Sequence, residues 1–465
     1  MQNIFKWVGP YLMASRLSNP PLPVPRRPAL SPSKVRVGVG VLSPFPFRWL
    51  SKTVLSAAVV CSLASPSVKA GFFYDDGTTT MHFAFEGSPN GDWPIVRAPG
   101  FYHADDGFGF VDSPTLRGVN TSVTAPKYFR FDVNLPDGNY DVGVTLGGAQ
   151  NSVTTVKAEA HRPMLLNVRS GVRDSVEQVF TVNVCNGGVR PTDSSTSMDM
   201  DGRLNLEFVG TNPSLMKLDI MPNTTATTVY LVGDTKVCDH DDIPAAGWGQ
   251  MLPILFKPGE IAVSNQASSR GDVDFLKSRL DAISRTLKTG DYLFIEFDNN
   301  ARYDRPGVAE EWKGFIQTYL DVARQHHATA VLVTPAPSRS FDSQGKLMYL
   351  SLCAQWMREI AAAQKVPLID LNAAAMAFLQ KLGPDASASA FAIYPAGTLA
   401  GHPEAMADDN DLNPYGAFEM AKLVAQGIKD QKLGLAAHLT GNAATNLDPA
   451  KFPANLGFDY LLKSK

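Results

Sequence analysis

The chain has 465 residues, 44% of them hydrophobic and 9% aromatic, which is length for two domains with cores of their own and excludes a fibrous or disordered protein. Its formal net charge of −3 is unevenly spread: the first 70 residues hold nine Lys or Arg and no Asp or Glu, leaving 33 basic against 45 acidic side chains in the remainder. A remainder that acidic excludes nucleic acid and anionic membrane as partners, because both select a basic face.

In chain order, Arg48 and Lys52 precede an apolar run at 54–64, and Val68-Lys69-Ala70 offers small residues at the −3 and −1 positions of a cleavage site. Residues 1–70 therefore read as an N-terminal extension and signal peptide cleaved near Ala70, and the mature chain is expected to be secreted or periplasmic. The apolar run has eleven residues, against about 20 needed to cross a bilayer, so no membrane span is expected in the mature chain. Residues 1–45 carry no usable pattern. Cys61 leaves with the signal, and Cys185, Cys238 and Cys353 allow at most one disulfide or remain as three buried thiols.

From 71 to 225 apolar residues alternate with period two between turn residues. Strands are predicted at 128–133 and 140–144, flanking Pro136-Asp137-Gly138 as a hairpin, and again at 153–158, 178–184, 204–209 and 216–220. Many short strands with regular turns predict a β-sandwich. From 226 the pattern changes to apolar runs alternating with amphipathic stretches. Strands are predicted at 228–232, 261–264, 292–297, 330–334 and 368–371, and helices at 248–256, 273–287, 310–327, 346–365, 373–382 and 414–431. That alternation predicts an α/β parallel sheet with helices on both faces and chemistry at the carboxyl ends of the strands. Met348, Met357 and Phe378 read as packing positions on the helices.

Five segments carry the functional signal: Gly233-Asp234-Thr235 after the first strand, Ala246-Gly247-Trp248-Gly249-Gln250-Met251-Leu252, Asn265-Gln266-Ala267, Phe294-Ile295-Glu296-Phe297, and Asn413-Pro414-Tyr415-Gly416-Ala417. In that order they resemble the blocks of the SGNH, or GDSL-type, hydrolases, and the pairing with an amino-terminal β-domain is similar to bacterial rhamnogalacturonan acetylesterases. The resemblance covers roughly 71–435. It implies a flavodoxin-like, three-layer α/β/α domain at 226–435, a preceding galactose-binding-like β-sandwich at 71–225, and a C-terminal tail at 436–465.

The resemblance also implies acyl transfer through a serine ester, with a His base, an Asp orienting it, and an oxyanion site of backbone N–H groups and an Asn, without metal or cofactor. This chain departs from that pattern. Thr235 stands at the nucleophile position, a secondary alcohol restricted at χ1. The oxyanion glycine aligns with Arg270, or with Gly271 one residue out of register, while Asn300 keeps the oxyanion amide. Asp408 keeps the orienting acid, and Asp411 replaces the His. Loss of the nucleophile or the base alone costs about 10⁶ in turnover of a serine hydrolase, and an aspartate carboxyl ordinarily titrates near ~3.9, far from a base working at neutrality.

Several residues have two readings. His402 is either a substitute base or an exposed loop histidine. Lys236 is either a base for Thr235 or a surface lysine. Asp408-Asp409-Asn410-Asp411 with Asn413 is either a calcium loop or a solvated acidic loop. Arg270, Arg302 and Arg339 either bind a uronate carboxylate or form separate surface ion pairs. The function expected is a secreted pseudo-esterase that binds acetylated pectic saccharide. The alternatives are an active carbohydrate O-acetylesterase using Thr235, and a structural or adhesive surface protein.

Overall fold

In the computed structural model the described residues are 72–75, 78–87, 93–185, 201–240, 244–269, 273–298, 306–399 and 403–441, all within one unit spanning Ser65–Lys465. The extension and signal segment lies outside them. The first half forms two main sheets, antiparallel apart from the short strand Ile95–Val96, beside a small three-stranded sheet of Arg117–Val119, Ser122–Thr124 and Ser214–Leu215. One runs in the order Phe72–Asp75, Thr78–Phe85, Lys217–Pro222, Gly138–Gly148, Asp174–Val184, and the other Arg162–Ser170, Ser152–Ala158, Arg203–Thr211, Tyr128–Asn134, Phe108–Val111. Alternate side chains from both meet in one core, where Phe83 of the first sheet packs edge-on against Phe131 of the second at 5.4 Å.

The expected hairpin around Pro136-Asp137-Gly138 is not formed. Tyr128–Asn134 and Gly138–Gly148 lie in different sheets. Leu135 is buried and the Tyr140 hydroxyl donates to the Pro136 carbonyl at 2.9 Å, so the chain rolls over the end of the core from one sheet to the other instead of turning at the surface.

The second half is built from β1 (Thr227–Val232), α1 (Trp248–Met251), β2 (Ile261–Asn265), α2 (Val273–Ser284), β3 (Tyr292–Ile295), α3 (Val308–Gln325), β4 (Thr329–Val333), α4 (Leu352–Gln364), β5 (Leu368–Ile369), α5 (Leu371–Ala386), β6 (Phe391–Tyr394), β7 (Met406–Leu412) and α6 (Pro414–Asp430). The five parallel strands run β2-β1-β3-β4-β5, the flavodoxin order. Val229 and Leu231 face a core shared with α1, α5 and α6, whereas Tyr230 and Val232 face one shared with α2, α3 and α4. Burial of both faces explains why β1 reads as a continuous apolar run rather than an alternating one.

Three elements differ from expectation. The predicted helix at 248–256 is one turn of α-helix followed by a 3₁₀ turn at Pro253–Leu255, because Pro253 cannot donate to the preceding turn. The predicted helix at 346–365 begins only at Leu352, where the Ser351 hydroxyl accepts from Ala354 N at 3.0 Å. Met348, outside that helix, is therefore exposed rather than packed. The acidic run at 408–411, expected in a loop, belongs to β7, which pairs antiparallel with β6.

After β7 the Asn413 side chain caps α6 by accepting from Gly416 N at 2.9 Å and donates to the Ser389 and Phe391 carbonyls at 2.8 and 2.9 Å. A Cβ on Gly416 would fall 1.9 Å from the Ala390 carbonyl oxygen, so glycine is required there. Cys238 and Cys353 are buried, Cys185 is half-buried, and none of the three is in a disulfide among the described residues. No described helix is long and apolar enough to cross a membrane.

Candidate active site

The loop after β1 is shaped by close approach. A Cβ on Gly233 would stand 2.5 Å from the Glu296 carbonyl oxygen and 2.5 Å from a Val237 methyl. The Asp234 carbonyl accepts from Val237 N and Cys238 N, each at 3.0 Å, closing a tight turn that presents Thr235. Gly247 and Gly249 let α1 rest on this turn, since a Cβ on either would lie 2.2 and 2.4 Å from the Cys238 and Val237 carbonyl oxygens respectively. From β2, Asn265 Nδ2 reaches Val237 O and Asp239 Oδ1, both at 2.9 Å, and Ser268 N donates to Gly233 O at 3.0 Å. The glycines and amides of the recognised segments thus serve the loop's backbone.

Beneath it lie two buried carboxylates. Asp234 accepts from Asp298 N at 2.8 Å, linking the ends of β1 and β3, and burial pushes its carboxyl up to about 6. Glu296 accepts from Trp248 Nε1 at 2.5 Å and from Ala336 N at 3.3 Å, and burial, followed by the Asp234 charge, holds it well above the usual carboxylate range. Lys236 is not a surface lysine. It is 3% exposed, its Nζ donates to the Ala336 carbonyl at 2.9 Å and to Ser338 Oγ at 3.3 Å, and it sits 5.8 Å from the centre of the Tyr349 ring. The two carboxylates supply the charge that draws it inward.

The opposite wall is a bulge. Ala392 pairs with Asp408 while the preceding Phe391 pairs with Leu412, so residues 409–411 loop out of β7 toward Thr235. Asp408, expected to orient the base, instead accepts from the backbone N–H groups of Asn410 at 2.7 Å and Asp411 at 2.9 Å and sets the shape of the bulge. Asp411 meets the nucleophile position: Thr235 Oγ1 donates to its Oδ1 at 3.4 Å, and Asn410 Nδ2 donates to the same oxygen at 3.1 Å. Ser338 Oγ donates to Asn410 Oδ1 at 2.7 Å, completing a chain from Lys236 through Ser338, Asn410 and Asp411 to Thr235.

All three nitrogens of the Arg339 guanidinium are engaged within the protein, by Asp409 Oδ1 at 2.6 Å, Ser387 Oγ at 3.1 Å and the Pro384 carbonyl. Arg339 thereby anchors the bulge. Arg270, Gly271, Asn300, Arg302 and His402 lie outside the described residues.

Two contributors were missed from sequence. His240 Nε2 donates to the Thr235 carbonyl at 2.7 Å, so this imidazole holds the loop's backbone. Arg162, from the antiparallel half, buries its guanidinium on Asp239, with Nε 2.7 Å and Nη2 2.5 Å from Oδ2. Gln250 Nε2 reinforces the same junction through the carbonyls of Ala160 and His240 at 2.5 and 3.2 Å. No spacing signals the Arg162–Asp239 and Gln250–Ala160 contacts, because each joins elements distant in sequence, whereas His240 lies five residues from Thr235 in the same loop. Two further cavities, of about 540 and 580 Å³, lie between the two halves, and neither is lined by Thr235 or Asp411.

A flavodoxin-order sheet bearing a hydroxyl residue on its first loop, tied to the third strand through an aspartate and faced by a loop preceding the last helix, defines an SGNH-type hydrolase scaffold. The chain belongs to the rhamnogalacturonan acetylesterase family of that superfamily. It is 32% identical over 216 residues to rhamnogalacturonan acetylesterase RhgT of Bacillus subtilis, covering 45% of this chain and 93% of that protein. It is 26% identical over 412 residues to the uncharacterized esterase YxiM of the same organism, covering 83% and 98% respectively. The crystal structure of YxiM aligns with a TM-score of 0.41 at 26% identity over 77% of this chain and 99% of that one. No protein-family model matches the sequence.

Proposed function

We propose that this protein is an exported, saccharide-binding relative of the rhamnogalacturonan acetylesterases in which the Ser–His route of ester hydrolysis is closed. One observation carries the reading: Thr235 Oγ1 faces the Asp411 carboxylate at 3.4 Å, and the imidazole bonded to this loop, His240, is spent on a backbone carbonyl. With both the nucleophile and the base replaced, the loss amounts to at least about 10⁶ in turnover, the cost of losing either one in a serine hydrolase. The described part of the frame, the loop after β1 and the bulge of β7, still brings Thr235 and Asp411 together, which supports the reading of a retained binding site for acetylated pectic saccharide. In this reading residues 71–225 are a galactose-binding-like β-sandwich, 226–435 the SGNH domain and 436–465 a tail, released after cleavage near Ala70.

The test is titration calorimetry with acetylated and de-acetylated rhamnogalacturonan fragments, beside turnover assays on acetylated pectin and an aryl acetate. Binding without Thr235-dependent turnover is expected. Turnover well above the buffer rate that vanishes in Thr235→Ala would overturn the proposal. It would establish the second reading, an O-acetylesterase using Thr235 with Asp411 as its base, which the direct contact between those two side chains favours.

A further inference from the structure

We propose that the cavity of about 580 Å³ between the two halves is a second saccharide site, separate from the Thr235 cleft, which takes a short acidic sugar with its carboxylate at the mouth and its hydroxyls inside. The proposal does not depend on the reading of that cleft.

The volume lies within the range of about 300–1,000 Å³ that small-ligand sites occupy, and such sites collect where two compact parts of a chain meet. One wall comes from the turn at 137–140 and the end of the strand Asp174–Val184, the other from β1, β2 and the end of α2. Both walls are thus fixed by packed cores, and a ligand between them touches both halves at once. Tyr140, Val184 and Ile283 are buried and supply apolar surface for the C–H faces of a sugar ring.

The polar groups of the interior leave one donor and one acceptor uncommitted. Ser264 Oγ accepts from Gln266 Nε2 at 2.9 Å and keeps its own proton to give. Asn183, in the facing wall and 7% exposed, donates through Nδ2 to Asn139 Oδ1 at 2.7 Å, while its Oδ1 is buried and accepts from nothing among the described residues. A buried amide oxygen without a donor is uncommon in folded proteins. A hydroxyl gives one proton and takes another, so a polyhydroxyl ligand suits this pair better than a purely apolar one.

The mouth is different in kind. Arg285 and Lys288 stand exposed in the turn after α2, with Asp137 as the carboxylate on the facing lip. Lys288 Nζ donates to the Thr224 carbonyl at 3.3 Å. The Arg285 side chain makes no hydrogen bond or ion pair among the described residues, which leaves its planar fork open to a carboxylate. Two cations against one carboxylate make a local excess of positive charge on a chain that is acidic beyond residue 70. An inorganic anion would engage the mouth and leave the interior unused, and a neutral sugar would do the reverse. A uronate engages both.

The test is titration calorimetry of the purified mature chain with digalacturonate, and with galabiose as its neutral counterpart. Saturable binding of digalacturonate is expected, at least about tenfold tighter than that of galabiose and weakened at least about tenfold in Arg285→Gln/Lys288→Gln, whose positions are exposed. Ser264→Ala should weaken it about threefold to tenfold, and Asp411→Ala should leave it unchanged. The proposal is overturned by absence of saturable binding, by equal affinity for galabiose, by full affinity in Arg285→Gln/Lys288→Gln, or by loss of affinity in Asp411→Ala. Full affinity in Ser264→Ala overturns it as well, since the surface cations alone would then hold the ligand. If Ser264→Ala does not fold, competition decides the same point: displacement of digalacturonate by equimolar sulfate marks a surface charge effect and overturns the site, whereas retention supports it. The probe carries no acetyl group and the site variants lie outside the Thr235 cleft, so failure here leaves the reading of that cleft untouched.

Discussion

Replacing Arg162 with Met should cost more stability than its place in the antiparallel half suggests. The side chains of Arg162 and Asp239 are 3% and 1% exposed, and two guanidinium nitrogens share one carboxylate oxygen at 2.7 and 2.5 Å. Nη1 also donates to the Asn183 carbonyl at 3.2 Å. Removing one partner strands a desolvated carboxylate, which costs about 3–5 kcal/mol. Arg162→Met/Asp239→Asn removes the stranded charge and should recover most of that loss. Urea unfolding of the wild type, both single variants and the double variant forms a thermodynamic cycle. Loss of less than about 1 kcal/mol in Arg162→Met, the range of an exposed pair, would refute the argument that this contact clamps the nucleophile loop to the antiparallel half.

Three further outcomes are expected. Asp234 has a carboxyl raised to about 6 in the folded chain, so folding favours its protonated form. Its contribution is fully present below the unfolded value near ~4 and is lost as pH rises through about 6. Unfolding free energy measured across that window should fall for the wild type and be flatter for Asp234→Asn. Gly249→Ala places a Cβ 2.4 Å from the Val237 carbonyl oxygen and 2.7 Å from Asn265 Nδ2, and should destabilise by about 1–3 kcal/mol in a thermal melt. Thr235→Ser with Asp411→His should raise aryl-acetate turnover by at least about 10²-fold, and an unchanged rate would show that the remaining pocket does not support the family's chemistry.

The parallel sheet was legible because its strands are buried on both faces and spaced by helical stretches, and α6 was legible because Asn413 and Pro414 mark its start. The β6–β7 hairpin was not. Met406–Leu412 carries three aspartates and an asparagine, and its pairing is a backbone matter that composition does not report. The turn at 136–138 has hairpin chemistry, yet the buried Leu135 and the Tyr140 hydroxyl send the chain to the other sheet. Motif order named Thr235 and Asp411, whose side chains lie 3.4 Å apart in the structure. The burial of Lys236 was invisible, since its partners other than Asp234 arrive from the ends of β3 and β4 and are separated from it by 60 residues or more.

The bulge in β7 has a consequence for what this molecule can become. Its two ends are fastened by pairing with β6, by Asp408 and by Arg339, contacts that hold the backbone at 411 without using the Asp411 side chain. Carboxylate, imidazole or amide at that station would be carried to the same place. A scaffold that separates support from reagent in this way can exchange its chemistry by single substitutions while its interior stays as it is.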